Sequence, residues 1–303
     1  MLHARTSPAA KRAVLRERLA TAEQPLRLPG AFNAPTARLI EELGFEGVYV
    51  SGSVVAADLG LPDVGLTTLS ELAHRAGQIA RMTDLGTLVD AAAGYGEPMN
   101  VARTVQVLED HGLAGCHIED QVHPSRCGQG DCAPTVGVAT AVHRIRAAVD
   151  ARRDGNFLVV ARTLVRAAAG LDGTVERARA LVGAGADVVF PEGLRDLREF
   201  EAVVRAVDVP VLADMSELGG SALFTVRQLA DAGVRMIVYP VTLLRLAMGV
   251  VERGLGVLAT QGTQAALVPE MQTPARLDEL LDAPAYTAFD ELIYTYRPDG
   301  TEE

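Results

Sequence analysis

The chain repeats one pattern of hydrophobic and polar positions: an amphipathic helix ends at a glycine, and an apolar strand begins two or three residues later. The pattern is clearest at residues 41–50, 108–118, 181–190 and 229–238. Glycine just past a helix end adopts the left-handed conformation that terminates the helix. A short connection into a wholly apolar strand indicates a strand buried on both faces, as in a parallel sheet.

Counting these units predicts eight strands separated by seven helices. We place the strands at about 26–29, 46–50, 86–90, 115–119, 157–162, 187–191, 209–213 and 235–239. Eight βα units in roughly 230 residues fit a (β/α)₈ barrel of the α/β class. An open doubly wound sheet is the alternative, but it usually has fewer strands and a Gly-x-Gly-x-x-Gly turn, which we do not find in the sequence.

Accessory helices are predicted before and after the barrel. One covers about residues 8–21, and a long one covers about 241–260 after the eighth strand. Shorter helices follow near 273–281 and 286–296. We therefore interpret residues 1–303 as a single domain, with the barrel at about 25–260 and a C-terminal helical extension at about 261–303.

Composition narrows the class of function. Hydrophobic residues make up 49% of the chain and the formal charge is −11, so binding to nucleic acid or to a membrane surface is not expected. The apolar stretch 241–259 is interrupted by Arg245, Glu252 and Arg253, which argues against a membrane span. Three cysteines, and an N-terminus without an apolar core, predict a cytoplasmic protein without a secretory signal.

Polar residues follow most of the predicted strands, at the end where parallel barrels place their chemistry. They are Ser51, Gly52, Ser53, Asp90, Glu119, Arg162, Glu192, Asp214 and Ser216, with Asp63 in the loop after the second strand. Carboxylate oxygens suit Mg²⁺, and arginine offers a two-pronged contact for a substrate carboxylate. Each residue alone has the alternative of a structural ion pair at the rim, but their shared placement favours a site.

The stretch 115–130 ends a strand in two acids and continues into a loop that carries a thiol. Cys127 lies between Arg126 and Gly128, and a thiol beside a guanidinium can act as an acid or a nucleophile. A chance surface cysteine is the alternative. His117, His123, Cys127 and Cys132 also suggest Zn²⁺, although their spacing does not match a usual ligand pair.

Short motifs across the predicted barrel carry a resemblance to a known family. They include Tyr-Val-Ser-Gly-Ser (49–53), Leu-Gly-Leu-Pro-Asp-Val-Gly (59–65), Leu-Val-Asp-Ala (88–91), His-Ile-Glu-Asp-Gln-Val (117–122), Arg-Cys-Gly (126–128) and Phe-Pro-Glu (190–192). Together they resemble the isocitrate lyase/phosphoenolpyruvate mutase superfamily, and most closely its 2-methylisocitrate lyase branch. The resemblance implies a (β/α)₈ barrel, Mg²⁺, a homodimer or homotetramer with an exchanged terminal helix, and enolate chemistry next to a 2-oxo acid.

The resemblance also implies roles for individual residues. Asp90 would hold the metal, supported by Asp63 and Glu119. Tyr49 would contact the reacting oxygen, Cys127 would protonate the enolate, and Arg162 and Glu192 would bind the substrate at the reacting centre. Further substrate contacts would come from Ser51, Gly52, Ser53, Arg126, Gly128, Asp214 and Ser216.

Five positions depart from the family pattern. Ala92 and Leu164 stand where the family has Asp, Ser125 where it has Lys, Gln129 where it has His, and Asp214 where it has Asn. We therefore expect Mg²⁺ binding to be weakened or lost. The function expected is a carbon–carbon lyase, or its reverse, acting on a small 2-oxo or hydroxy carboxylate. The alternative is a catalytically degenerate or metal-independent homologue with a binding or repurposed biosynthetic role.

Overall fold

The computed structural model describes residues 4–124, 134–217 and 222–297, in which parallel strands alternate with helices. The strands are β1 (Leu26–Pro29), β2 (Val48–Val50), β3 (Thr87–Asp90), β4 (Gly115–Glu119), β5 (Leu158–Thr163), β6 (Val188–Pro191), β7 (Leu212–Asp214) and β8 (Met236–Tyr239). The helices are α1 (Pro8–Thr21), α2 (Ala34–Glu42), α3 (Gly52–Asp58), α4 (Leu69–Ala80), α5 (Pro98–Asp110), α6 (Val138–Ala151), α7 (Arg166–Gly183), α8 (Leu197–Ala206), α9 (Val226–Asp231), α10 (Thr242–Gln261), α11 (Pro274–Leu280) and α12 (Ala283–Tyr294), with a 3₁₀ helix at Ala265–Glu270.

The eight strands close into a ring. Continuous parallel pairing runs through β2-β3-β4-β5-β6 and through β7-β8-β1. Single parallel bridges, between Gly30 and Tyr49 and between Val189 and Val211, join these two sheets. Closure pairs the sheet edges with each other, so the open doubly wound sheet is excluded and the predicted (β/α)₈ barrel is confirmed.

Alternation along the strands divides the core into an inner and an outer layer, because successive side chains point to opposite faces. On β4, His117 points into the barrel, whereas Cys116 and Ile118 pack with residues of the surrounding helices. The inner layer includes Leu88, Val160 and other fully buried residues of the strands. The strands are therefore buried on both faces, as their apolar sequences predict.

Helix α1 closes the N-terminal end of the barrel and has the predicted bounds of 8–21. Leu15 and Leu19 are buried in the inner core layer. Lys11 donates to the carbonyl of Ala80 at 2.9 Å, and Arg12 donates to the carbonyl of Leu113 at 2.8 Å. Because this end is closed by packing and hydrogen bonds, the opposite end of the strands is the one available for a site.

Two strands begin more than one residue later than predicted, and one loop is helical. Glu46 lies outside β2 because its carboxylate accepts from the backbone N–H of Arg27 at 2.8 Å. Pro210 lies outside β7, since proline has no N–H for a ladder. Residues 52–58 form α3, so eight helices rather than seven lie between β1 and β8 in the described chain.

The C-terminal helices lie largely outside the core. None of the residues in α10 or α12 is buried, although Leu255, Leu258 and Phe289 on them are apolar. No described helix has the length and apolarity needed to cross a bilayer. The division into a barrel of about 25–260 and an extension of about 261–303 stays a prediction.

Candidate active site

Two adjoining cavities lie at the carboxyl ends of the strands and share Asp63, Asp90 and Arg162. The larger has a volume of about 350 Å³ and the smaller about 60 Å³. The larger cavity is also lined by Tyr49, Ser51, Ser53, Leu164, Phe190, Glu192, Asp214, Ser216, Pro240, Val241 and Arg245. The smaller is also lined by Gly52, Gly65, Thr67, Ala92, Tyr95, Glu119 and His123. The structure therefore brings the predicted strand-end residues into one site.

Arg162 connects the two cavities. Its guanidinium lies 3.2 Å from Glu119 Oε2, 3.1 Å from Glu192 Oε2 and 3.8 Å from Asp90 Oδ2. The register of β4 and β5 places Glu119 directly beside Arg162, and the Phe190 ring lies 5.0 Å from the guanidinium carbon. Arg162 therefore forms the ion pairs of the structural alternative and also lines the pocket, as predicted for a substrate-binding residue. An anionic substrate would bind Arg162 in competition with these carboxylates.

Asp90 is held in its ionised form at the end of β3. Its Oδ1 accepts from the backbone N–H of Ala92 at 2.8 Å, and its Oδ2 accepts from that of Gly52 at 3.3 Å. Burial alone would raise the pKa of Asp90, but His117, Arg162 and these two donors bring it below its usual value. An ionised aspartate at this point is a suitable oxygen ligand for Mg²⁺.

Asp63 adds a second carboxylate to both cavities. Burial and the charge of Asp90 raise the pKa of Asp63 to about 6, while Arg162 opposes the shift. Carboxylates crowded in this way favour a divalent cation, so Asp90 fits Mg²⁺ as a direct ligand, with Asp63 and Glu119 supporting it without all three contacting the ion. Within the described ranges, no three or more His, Cys, Asp or Glu side chains form a metal-binding group. Mg²⁺ commonly retains several waters and needs few protein ligands.

Ala92, a position where the sequence resemblance implies an aspartate, lines the smaller cavity. Its φ of 47° is unusual for alanine, whereas aspartate and asparagine adopt this left-handed region more readily. The backbone is held there by the bond to Asp90 and by the N–H of Glu119, which donates to the Ala92 carbonyl at 2.9 Å. The backbone conformation at this position therefore suits an aspartate, and the side chain present is a methyl group.

Tyr49 and His117 form a buried pair at the inner end of the larger cavity. The Tyr49 hydroxyl lies 2.7 Å from His117 Nε2, and the rings stack with centroids 5.9 Å apart. Burial and the charge of Asp90 raise the pKa of Tyr49 well above its usual value. Burial lowers the pKa of His117 to about 4, against the opposing effect of Asp90. Both groups are therefore neutral near pH 7.

The Zn²⁺ alternative gains nothing from the described residues. The Nε2 atom of His117 is engaged by Tyr49, while His123 lines the smaller cavity. Cys127 and Cys132 lie outside the described residues. In the described part of the chain, the histidines do not join other side chains in a metal-binding group.

The predicted small-residue turn at Ser51–Ser53 is the beginning of α3. Ser51 is its N-cap residue, and its Oγ lies 2.8 Å from Ser53 Oγ. A Cβ atom at Gly52 would lie 3.1 Å from Asp90 Oδ2, so glycine permits the close approach of that carboxylate. The two serine hydroxyls line the larger cavity, where they can donate to a bound carboxylate.

Asp214 and Glu192 also line the larger cavity. Ser216 Oγ donates to Asp214 Oδ1 at 2.7 Å. Burial and the charge of Glu192 raise the pKa of Asp214 to about 7, while Ser216 and Arg162 oppose the shift. Leu164, a position where the sequence resemblance implies an acid, also lines this cavity with an apolar side chain.

Some residues of the predicted site are not placed, and others had not been predicted. Arg126, Cys127 and Gly128 lie outside the described residues, as do Ser125 and Gln129. Arg245, in the first turn of α10, lines the larger cavity and lies 3.2 Å from Glu217 Oε2. In the sequence, Arg245 only interrupts an apolar stretch. Its position six residues after β8 was the available signal.

Comparison with known proteins identifies the family. Residues 15–258 match the phosphoenolpyruvate phosphomutase family model. The chain is 53% identical to a probable 2-methylisocitrate lyase 2 of Corynebacterium glutamicum, covering 97% of this chain and 95% of that protein. It is 41% identical to a 2-methylisocitrate lyase of Escherichia coli, covering 90% and 92%. The chain belongs to the isocitrate lyase/phosphoenolpyruvate mutase superfamily.

Solved structures of other superfamily members have the same fold. Oxaloacetate acetylhydrolase bound to 3,3-difluorooxalacetate superposes with a TM-score of 0.89 at 31% identity, covering 96% of this chain and 100% of that one. For 2,3-dimethylmalate lyase the TM-score is 0.88 at 30% identity, covering 98% and 99%. The chain is a carbon–carbon lyase of this superfamily, and the comparisons do not support the catalytically degenerate alternative.

Magnesium is established for the superfamily rather than for this chain. Members of the superfamily use Mg²⁺, and one solved structure is of phosphonopyruvate hydrolase with oxalate and Mg²⁺. That hydrolase is 23% identical to this chain, so its similarity concerns the fold.

Proposed function

We propose that this lyase cleaves, or in reverse forms, a carbon–carbon bond of a small 2-hydroxy carboxylate, releasing a 2-oxo acid through an enolate. The observation that carries the proposal is the convergence on Arg162 of three carboxylates from three different strand ends, beside the neutral Tyr49–His117 pair. Donors and charges fixed around one cavity are suited to stabilise negative charge that develops during a reaction.

Mg²⁺ is the proposed cofactor, held at Asp90 with Asp63 and Glu119 in support. When bound, Mg²⁺ would supply positive charge that stabilises a developing oxyanion. With Ala92 in place of a carboxylate, we expect its binding to be weak or absent until substrate adds further oxygen ligands.

The residues of the chain take separate roles in the proposed cleavage. Arg162 and the hydroxyls of Ser51 and Ser53 hold the carboxylate of the fragment that becomes the 2-oxo acid. The neutral Tyr49 hydroxyl orients the reacting oxygen. As the reacting hydroxyl gives its proton to Glu192, the proposed base in the same cavity, its oxygen forms a carbonyl, and the electrons of the broken carbon–carbon bond pass to the departing carbon as an enolate. Cys127 is the proposed donor of the proton that this carbon gains.

The relatives suggest 2-methylisocitrate as the first substrate to examine. We expect this chain to cleave it poorly, because Ser125 and Gln129 replace a lysine and a histidine of the family pattern. A tricarboxylate would therefore meet fewer positive or protonatable groups than in the family. A smaller dicarboxylate of the same reaction class is the preferred candidate.

A substrate panel tests the function. The protein is incubated with 2-methylisocitrate, isocitrate and dialkylmalates, with and without Mg²⁺, while 2-oxo-acid release is followed. We expect release from at least one compound and its loss in Cys127→Ala. Cys116→Ala is the matched control, because Cys116 is buried against the surrounding helices on the outer face of β4. Absence of 2-oxo acid from the whole panel contradicts the proposal.

We also propose that the protein is cytoplasmic and assembles as a homodimer or homotetramer through its C-terminal helices. Leu246, Leu255 and Leu292 are 62%, 61% and 66% exposed, and they lie on helices with no buried residues. Exposed apolar surface of this extent marks an interaction site. A mass measurement that gives a monomer at micromolar concentration contradicts the assembly.

A further inference from the structure

Two carboxyl groups form one wall of the larger cavity. Asp214 ends β7 and Glu192 follows β6, and both side chains line the cavity. The charge of Glu192 and burial raise the pKa of Asp214 to about 7. Glu192 is paired with Arg162 at 3.1 Å, and Asp214 accepts from Ser216 at 2.7 Å. This wall therefore presents carboxyl oxygens to whatever part of a substrate reaches it.

Acidic groups outnumber basic ones around the two cavities. Among the described lining residues, the carboxyl groups are Asp63, Asp90, Glu119, Glu192 and Asp214, and the guanidiniums are Arg162 and Arg245. Arg245 is itself paired with Glu217 at 3.2 Å. Since Arg162 also contacts three of these carboxylates, each further negative charge on a substrate meets a stronger opposing field.

We propose that the Asp214–Glu192 wall excludes a substrate carboxylate, so that the enzyme selects dianionic substituted malates over tricarboxylates. One carboxylate of such a substrate lies at Arg162 and the second lies toward Arg245. The substituent against the wall is then a hydroxyl or an alkyl group, which carries no charge. This assignment of a substrate class rests on the proposed function of the same site.

The selectivity increases with pH. The charged and titratable groups that line this cavity with Asp214 are Glu192 after β6, Arg162 on β5, Asp90 on β3, Tyr49 on β2, Arg245 on α10 and Asp63. At a pH below its pKa, Asp214 is neutral and can donate a hydrogen bond to the third carboxylate of a tricarboxylate substrate. At a pH above that pKa, the charged Asp214 carboxylate beside Glu192 repels this third carboxylate. Discrimination against tricarboxylates is therefore smaller near pH 6 than near pH 8.

The isosteric variant Asp214→Asn tests the proposal. Values of kcat/KM are measured for 2,3-dimethylmalate and 2-methylisocitrate with Mg²⁺, at about pH 6 and about pH 8. We expect the variant to reduce the preference for the dicarboxylate by about tenfold at the higher pH, mainly through a lower KM for the tricarboxylate. The shift at the lower pH is expected to be smaller. Asp150→Asn, on the exposed face of α6, is the control that leaves both preferences unchanged.

An unchanged preference in Asp214→Asn, or an equal shift at both pH values, overturns the proposal. A binding measurement separates this failure from failure of the proposed function, since it needs no turnover. Calorimetry with succinate and tricarballylate is expected to give about tenfold tighter tricarballylate binding in Asp214→Asn and a much smaller change for succinate. Equal changes for both compounds contradict the wall, whereas absent turnover with the expected binding contradicts only the lyase reaction.

Discussion

Replacing Ala92 by aspartate is expected to tighten Mg²⁺ binding by at least tenfold. The position lines the smaller cavity with Asp63, Asp90 and Glu119, and its φ of 47° is one that aspartate tolerates better than alanine. The substitution therefore adds an oxygen ligand without requiring a new backbone conformation. Ala92→Asn is the matched control, because asparagine shares this backbone preference but carries no charge.

The magnitude follows from Coulomb's law. A coordinating carboxylate whose charge lies about 3 Å from a dication gains roughly 11 kcal/mol at an effective dielectric constant of about 20, before any losses. Displacing a water ligand and desolvating the new carboxylate offset most of this gain. A net change of about 1.4 kcal/mol or more, a factor of ten in affinity, remains. Without Mg²⁺, repulsion from Asp63 and Asp90 is expected to lower the stability of the aspartate variant.

Calorimetry and thermal unfolding measure this prediction. At about 10 mM Mg²⁺, a tenfold gain in affinity corresponds to additional stabilisation of up to about 1.4 kcal/mol, or a shift in Tm of about 2–4 °C. Ala92→Asn is expected to show no such gain. Tight Mg²⁺ binding by the wild type, with no improvement in Ala92→Asp, would show that the missing carboxylate does not weaken the metal site.

Three further predictions concern stability, titration and assembly. Arg177→Met breaks the buried pair with Asp120 at 2.8 Å and is expected to cost about 3–5 kcal/mol in urea unfolding, whereas Arg146→Met, in an exposed pair, changes stability by about 0.5 kcal/mol or less. Because the pKa of Asp214 is raised, its ionisation lowers the stability of the folded protein as pH rises from about 4 through 7. In metal-free buffer, Asp214→Asn should therefore raise Tm more at about pH 8 than at about pH 5. An equal or opposite effect contradicts the assigned titration. Leu255→Glu should lower the mass measured by light scattering, and the exposed Leu43→Glu should not; a wild-type mass unchanged by Leu255→Glu argues against assembly through α10.

The barrel could be predicted because its strands are buried on both faces and each follows a glycine-terminated helix. Gly44, Gly112, Gly185 and Gly233 all have positive φ angles at these helix ends, which is the conformation that the pattern predicts. The predicted strand starts were less accurate. Glu46 stands at the predicted start of β2, but it is charged, and its carboxylate accepts from the backbone N–H of Arg27 on β1. Helix α3 was missed because a seven-residue helix spans only two turns and leaves a weak periodic signal.

The location of the site was predictable from the sequence, but its contacts were not. Residues at or directly after the ends of successive parallel strands must meet at one end of a barrel, so we could predict that Asp90, Glu119 and Arg162 lie together. The Tyr49–His117 bond depends on two residues 68 positions apart that point into the same barrel interior. Predicting that Arg245 lines the cavity would have required the orientation of α10 relative to the barrel, which no local sequence pattern contains.

The most direct test of the account is cleavage of a substituted malate in D₂O with Mg²⁺, followed by proton NMR. The lyase reaction predicts one 2-oxo acid for each substrate consumed and one deuterium on the released carbon of the second product, since that carbon is protonated after the bond breaks. Arg162→Gln is expected to abolish both signals, because the carboxylates around it lose their central cation. Substrate that remains intact with the folded wild-type protein, or 2-oxo acid released equally by Arg162→Gln, would contradict the central claim.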